Sequence, residues 1–270
     1  MESKNMGVRQ HIPTGLIGMV HLQALPGSPQ YSGDLDNIEA AAIADAHSLI
    51  SGGADAIMVE NFGDVPFHKD EVPAITIAAM TRIVRAIVES SEIPVGVNVL
   101  RNDVNAALSI ATATGAKFIR VNVHVGAMLT DQGVIEGKAA ESLRLRNSLD
   151  SSIAILADIG VKHATAIHEN WTIEQEAKDC WHRGLADALI ISGSGTGVPT
   201  QIDDLRRVKN VVPDAPLIVG SGVNTSNATE YLEIATSLIA GTSLKVHSIV
   251  GNSVDVKRVL ELVGMAKNTP

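Results

Sequence analysis

The sequence predicts an α/β protein made of a single (β/α)8 TIM barrel with a phosphate-binding site after its seventh and eighth strands. Its 270 residues suit one such barrel, and short aliphatic strands alternate with helical segments without an interior linker. Hydrophobic residues make up 45% of the chain and aromatic residues only 3%, which is typical of parallel strands packed against alanine-rich helices. We therefore expect one domain over residues 1–270, with residues 1–13 as a polar N-terminal tail.

Eight β-then-α units follow one another along the chain. The predicted strands are Leu16–Val20, Ala56–Val59, Val95–Val99, Phe118–Val123, Ile153–Ile159, Ala188–Ile191, Leu217–Val219 and Leu238–Ala240. The predicted helices are Ile38–Ile50, Ile75–Val88, Val104–Ala113, Ala139–Leu149, Ile173–Arg183, 201–209, Thr225–Ile234 and Val254–Met265. In the first helix the apolar residues repeat at helical spacing, and Gly52-Gly53 ends it.

A weak internal repeat favours a closed barrel over an open doubly wound sheet. Gly53-Ala54-Asp55-Ala56, Gly115-Ala116-Lys117-Phe118 and Gly184-Leu185-Ala186-Asp187-Ala188 each join a helix to an even-numbered strand. Strands three and seven are entered through Pro94 and Pro216 instead. This alternation fits a barrel assembled from quarters, although each motif alone would also fit a doubly wound sheet.

Polar side chains collect at the ends of the first five predicted strands. Side chains alternate between the faces of a strand, so parity separates them from their aliphatic neighbours and points them into the barrel. The candidates for catalysis are His21, Glu60, Asn98, Asn122 and Asp158, with Lys162 shortly after strand five. We expect Glu60 and Asp158 to be an acid–base pair, and Asn98 and Asn122 to orient the substrate. For each residue alone, a hydrogen-bonded structural role is the alternative.

Glycine-rich turns follow the last three strands. The candidate phosphate-binding residues are Ser192, Gly193, Gly220, Ser221, Gly222, Gly241, Thr242 and Ser243. Small residues let the backbone approach a ligand closely, and free N–H groups attract anions. The turns after strands seven and eight form the usual phosphate site of this fold, so a small phosphorylated ligand is the expected partner.

Lys162 and the histidines suggest other chemistry that the spacing supports less well. Lys162 is expected to hold an anionic substrate or to pair with Asp158, rather than to form a Schiff base. His21, His124, His163 and His168 could approach the barrel mouth, but no spaced metal-binding motif accompanies them, so neither a metal nor another cofactor is predicted.

One loop could close over the mouth, and two other segments could form its rim. The segment Gly126–Gly137 is long for a loop after a strand and is expected to be an ordered lid. The turn Leu25–Pro29 and the segment Asn61–Phe67 are expected to complete the rim.

Charge and composition limit the partners. The net charge of −9 argues against a nucleic-acid surface, which needs patches of Lys and Arg. No apolar run reaches the roughly 20 residues of a membrane helix, and Cys180 is the one cysteine. We therefore expect a cytoplasmic protein with no membrane segment, and homo-oligomerisation stays open.

Several motifs resemble the BtpA family from about the first strand to the last helix. They include Arg120-Val121-Asn122-Val123-His124-Val125-Gly126-Ala127, Thr130-Asp131-Gln132-Gly133, Val161-Lys162-His163 and Gly241-Thr242-Ser243-Leu244-Lys245. The resemblance implies a TIM barrel related to phosphate-binding barrels, but no settled reaction and no catalytic residues to carry over. The family is named for a factor needed for photosystem I accumulation in cyanobacteria, and other members carry nucleosidase-type labels.

Three functions follow as hypotheses. The first is an enzyme acting on a small phosphorylated sugar or nucleoside-like compound by acid–base chemistry, as an isomerase, a lyase or a nucleosidase-type hydrolase. The second is a non-enzymatic assembly or stability factor, like that of photosystem I biogenesis, which uses the barrel as a binding platform. The third is a metal-dependent hydrolase, which would need at least three convergent ligands.

Overall fold

The computed structural model describes residues 8–149, 152–193 and 195–267. Its barrel strands are β1 (Gly15–His21), β2 (Ala56–Glu60), β3 (Val95–Asn98), β4 (Phe118–Val121), β7 (Ala154–Ile159), β9 (Ala188–Ile191), β10 (Leu217–Val219) and β11 (Ser237–Ala240). These eight strands pair in parallel and close into a barrel in the order β1-β11-β10-β9-β7-β4-β3-β2, which confirms the predicted fold class.

Helices surround the barrel in the predicted positions. They are α1 (Leu35–Ser51), α2 (Ala74–Glu89), α3 (Val104–Thr114), α4 (Ala139–Ser148), α5 (Ile173–Lys178), α6 (Ile202–Val211), α7 (Ala228–Leu232) and α8 (Val256–Lys267). The predicted helix 173–183 divides into α5 and a π-helical stretch, Asp179–Arg183. The side chains of Asp34 and Asp103 cap the first turns of α1 and α3, accepting from the N–H groups of Asn37 and Ala106.

Parity along the strands sorts the core into two layers, as the alternation of side chains requires. Helix-facing residues such as Ile57, Ile119 and Leu189 pack in one continuous cluster against the helices. Inward residues such as Met58, Phe118 and Ile190 pack in a second cluster inside the barrel. Phe118 lies so close to Gly96 of the neighbouring strand that a side chain there would overlap its ring.

The N-terminal segment is only partly described, because residues 1–7 lie outside the described residues. Val8 is buried in the cluster inside the barrel, and Ile12 packs against it. Part of the predicted polar tail therefore packs with the core inside the barrel.

The segment 126–137 forms a β-hairpin rather than a loop. Its strands β5 (Ala127–Thr130) and β6 (Gly133–Glu136) pair antiparallel, and β8 (Ala164–Ala166) adds a third strand on the other side of β5. Met128 and Ile135 are buried against Val123 and Val161. No helix in the described part of the chain is long and apolar enough to cross a membrane.

Candidate active site

A cavity of about 470 Å³ opens at the carboxyl-terminal ends of the barrel strands. Met19 and Ile239 of the inner layer line its base, and the polar side chains predicted by parity form its walls. His21, Glu60, Asn122, Asp158 and Lys162 all line it, although they come from four different strands or the loops after them. The closed barrel is what brings them together.

Asp158 is held by two neighbouring side chains. Arg120 donates two hydrogen bonds of 2.9 Å to its two carboxylate oxygens, and Asn122 Nδ2 donates a third of 2.7 Å to Oδ2. Both members of the ion pair are buried. This bidentate geometry fixes the direction of the Arg120 guanidinium. Asn122 bonds to Asp158 through its amide nitrogen, and its Oδ1, in the cavity wall, has no hydrogen-bond partner among the described residues.

Glu60 has one engaged oxygen and one free oxygen. Asn98 Nδ2 donates a hydrogen bond of 2.5 Å to Glu60 Oε2. Glu60 Oε1 lies 3.9 Å from His21 Nε2 and accepts no hydrogen bond in the described part of the chain. Asn98 is buried and is not among the residues that line the cavity, and its amide contacts Glu60, so its predicted role in orienting a substrate stays a prediction.

His21 is neutral at physiological pH. Burial, with smaller contributions from Lys245 and Lys162, lowers its pKa to about 3. Its ring lies against Phe62, with the ring centroids 4.6 Å apart, and Nδ1 has no partner among the described residues. A neutral imidazole in this position donates or accepts a hydrogen bond without adding charge to the cavity.

Two glycine-containing turns, residues 220–223 and 241–243, form one wall of the cavity. Five N–H groups in them have no acceptor among the described residues: those of Ser221, Gly222, Val223, Thr242 and Ser243. The hydroxyl of Ser243 is also buried without a partner in this part of the chain, whereas that of Ser221 donates to the Gly195 carbonyl. Clustered free amides are the usual binding groups for a phosphate.

The turn after β9 lines the cavity through residues other than the two that were predicted to bind phosphate. Ser192 and Gly193 do not line the cavity, and Thr196 and Gly197 from the same turn take that place. The turn folds back on itself, so that a side chain at Gly193 would overlap the backbone of Val198 and Pro199. Ser194 lies outside the described residues.

Lys162 connects two sides of the cavity. Its Nζ donates a hydrogen bond of 2.9 Å to the Gly220 carbonyl, and its own carbonyl accepts one of 2.5 Å from Arg101 Nη2. It does not pair with Asp158, whose oxygens are occupied by Arg120 and Asn122. Burial, followed by the charge of Arg120, lowers the pKa of Lys162 to about 8.

The rim differs from the expected one. Phe62, Val65 and Phe67 of the predicted segment 61–67 line the cavity, but the turn 25–29 and the hairpin do not. Of the four candidate histidines, His124 and His168 are absent from the lining, and His124 Nε2 is 2.8 Å from the Gly184 carbonyl oxygen. Within residues 8–149, 152–193 and 195–267, no group of three His, Cys, Asp or Glu side chains is placed to hold a metal.

Sequence reasoning missed Arg101 as a site residue. Arg101 follows β3 at the same end of the barrel as the other candidates, and this position was the available signal. The guanidinium is buried, lines the cavity and forms no ion pair among the described residues.

Comparison with known proteins supports one family over nearly the whole chain. The sequence profile of the BtpA family matches residues 13–268. The photosystem I biogenesis protein BtpA of Synechocystis is 44% identical over 90% of this chain and 85% of its own. An uncharacterised protein of Thermococcus kodakarensis is 47% identical over 93% of this chain and 95% of its own. SgcQ of Escherichia coli, named for the sgc region, is 35% identical over 92% of each chain.

Solved structures share the fold at low sequence identity. Thiamine phosphate pyrophosphorylase from Pyrococcus furiosus superposes with a TM-score of 0.58, at 13% identity and 98% coverage of both chains. N-(5'-phosphoribosyl)anthranilate isomerase from the same organism gives a TM-score of 0.57 at 17% identity, covering 94% of this chain and 99% of its own. At these identities the likeness concerns the barrel alone.

Proposed function

The chain belongs to the BtpA family, and from that premise and the cavity geometry we propose that it is an enzyme acting on a small phosphorylated sugar or nucleoside-like compound. The chemistry is acid–base catalysis at the mouth of the barrel. One observation carries the proposal: a carboxylate and a set of amides line the same cavity, and among the described residues one carboxylate oxygen and the amide N–H groups have no hydrogen-bond partner.

The two glycine-containing turns would bind the phosphate. The five N–H groups and the Ser243 hydroxyl that have no partner among the described residues provide donors. Arg120 is also near this wall, since its Nη2 is 3.6 Å from the position that a Cβ atom at Gly220 would occupy. Donors held in place by the backbone need no reorganisation when the ligand arrives, which favours binding of a charged oxygen group.

Glu60 is the proton acceptor that this geometry favours. Its free Oε1 faces His21, and the bond from Asn98 fixes the carboxylate. Asp158 is less suited to that role, because its oxygens accept three hydrogen bonds. We therefore propose that Asp158 holds Arg120 and Asn122 in position, and that the free Asn122 Oδ1 accepts a hydrogen bond from a substrate hydroxyl. Isomerisation and elimination begin with removal of a substrate proton by such a base, and glycosidic-bond hydrolysis uses it to deprotonate the attacking water.

We call the wall formed by residues 220–223 and 241–243 the phosphate wall, and a substitution in it tests the binding half of the proposal. Ser243→Asp places a negative charge among the free amides and should weaken binding of phosphate esters at least about tenfold. Ser243→Asn has the same size without the charge and should bind them nearly as the parent does. The measurement is calorimetric titration with ligands found in a thermal-shift screen of sugar phosphates and nucleotides. Equal affinities in the two variants would place the phosphate elsewhere.

The second candidate is an assembly factor that uses the barrel as a binding platform. The name of the Synechocystis relative and one structural feature favour it: Leu129 and Val134, opposite each other on the hairpin, are exposed. A paired apolar surface of this kind suits contact with another protein.

The Glu60→Gln variant separates the two candidates. The amide oxygen that it introduces can still accept the bond from Asn98, so the fold should be kept. If the protein is an enzyme, turnover of the ligand that the screen identifies should fall by about a hundredfold or more. Full activity of this variant in every assay would contradict the catalytic role of Glu60 and favour the binding platform.

A further inference from the structure

The charges around the cavity are unbalanced. Arg101, Arg120 and Lys162 line it against two carboxylates, Glu60 and Asp158, while the whole chain carries a net charge of −9. Asp158 is engaged by Arg120, and Glu60 forms no ion pair with Arg101 or Lys162. A positive cavity in an acidic protein indicates an anionic ligand.

Arg101 is a buried cation without an ion pair among the described residues. The residue is 7% exposed, and the one hydrogen bond that its guanidinium donates among the described residues runs from Nη2 to the Lys162 carbonyl. Nε and Nη1 have no acceptor in the described part of the chain. Burial of a guanidinium without a carboxylate is unfavourable, and burial lowers the pKa of Arg101. A ligand that supplies an anionic group removes that penalty.

Arg101 lies opposite the phosphate wall. It follows β3, and in the closed strand order β3 is four positions from β10 in either direction. Lys162 lies between the two sides, since it bonds to both Arg101 and Gly220. One phosphate on the amides of residues 221–223 and 242–243 therefore leaves Arg101 without a counter-charge.

We propose that the substrate carries a second anionic group, a carboxylate or a second phosphate, and that Arg101 binds it at the side of the cavity opposite the phosphate wall. This inference rests on the proposed function, because it places the first phosphate on the two glycine-containing turns. It defines the substrate class as small compounds with two separate anionic groups, with Lys162 between the two charged ends. Arg101 is the residue that distinguishes them from simple phosphate esters.

The test compares matched ligands on the full chain. The probes are ω-phosphorylated aldonates from glycolate to hexonate, the alditol phosphates that lack the carboxylate, and the corresponding alditol bisphosphates. At the chain length that spans the cavity, the second anion should tighten binding about tenfold to a hundredfold. The aldonate and bisphosphate arms show which anionic group is preferred.

In the Arg101→Met variant the second anion should no longer tighten binding, while the affinity for alditol phosphates should stay at the parent's value. Arg144→Met removes an exposed arginine of α4 and is the matched control. In this variant the second anion should tighten binding as much as it does in the parent. Should Arg101→Met fail to fold, Arg101→Lys keeps the charge without the planar fork and should lose part of the gain.

Two results would overturn the inference while the proposed function stands. In the first, alditol phosphates bind but no second anion tightens binding at any chain length. In the second, Arg101→Met keeps the full gain. If no phosphate ester binds at all, the proposed function fails and the inference fails with it.

Discussion

The ion pair of Asp158 and Arg120 shows how single residues prepare the site. Arg120 lies one strand away, and both side chains point into the barrel because they occupy inward positions on β4 and β7. A buried guanidinium and carboxylate with two parallel hydrogen bonds have little freedom to move. The pair therefore gives the cavity a fixed wall rather than a mobile acid.

Replacement of Asp158 should destabilise the protein as well as impair its activity. Asp158→Asn leaves Arg120 buried without a counter-charge, so the free energy of unfolding should fall by about 3–5 kcal/mol. Urea unfolding measures this loss. Asp203→Asn, which removes an exposed carboxylate paired with Arg206, is the control and should change stability little. A loss as small as the control's would mean that Arg120 finds another acceptor.

Glu176 illustrates how one helix holds a functional loop. It lies in the first turn of α5 and accepts hydrogen bonds from Gly160 N, at 3.0 Å, and from Trp171 Nε1, at 3.1 Å. These two donors lie at the two ends of the segment that carries Lys162. The helix thus positions a cavity residue without contributing to the lining itself.

The stability contributed by α5 should depend on pH. Burial raises the pKa of Glu176 from 4.5 to about 7, so the folded chain keeps its proton to a higher pH than the unfolded chain does. The loss of folding stability caused by ionising the Glu176 carboxyl is therefore absent below pH 4.5, grows as the pH rises, and is complete above about pH 7. Glu176→Gln, which cannot ionise, should gain stability relative to the parent over that range, by at most on the order of 3 kcal/mol.

Urea unfolding at about pH 5 and about pH 8 measures this effect as the difference between variant and parent. Glu174→Gln on the same helix is the control for the loss of one carboxylate, since Glu174 is partly exposed and pairs with Arg207. A difference that does not change between the two pH values would show that Glu176 has the same protonation state in the folded and unfolded chains.

The elements themselves were predictable to different degrees. Strands and long helices fell close to their predicted bounds, because aliphatic runs and helical spacing are local signals. The hairpin was not predicted, since its strands have four residues each and gain stability only by packing on Val123 and Val161 and by pairing with β8. The predicted helix Thr225–Ile234 shortened to α7 for a related reason, as Asn224 and Asn227 form a turn at its start.

At the scale of the whole molecule, closure of the barrel brings residues that are far apart along the chain into one cavity. β2 and β7 are almost a hundred residues apart and not paired with each other, yet Glu60 and Asp158 line one cavity. Closure also places the loop after β3, which carries Arg101, on the other side of the barrel from the turns after β10 and β11. The proposal of a substrate with two anionic groups follows from this placement rather than from any one motif.

The sequence by itself determined the barrel and the succession of strands around it. It also determined which side chains point inward, because alternation along a strand is a local property. Alternation predicted Glu60, Asn122 and Asp158 at the barrel mouth, and position after a strand predicted Lys162 and the two glycine-containing turns there, and all of them line the cavity. Only the tertiary structure decided that Asp158 pairs with Arg120, that Asn98 supports Glu60 from behind, and that Arg101 reaches the cavity. Those contacts join residues some 38 to 61 positions apart, and their geometry depends on how loops from different strands pack at the mouth.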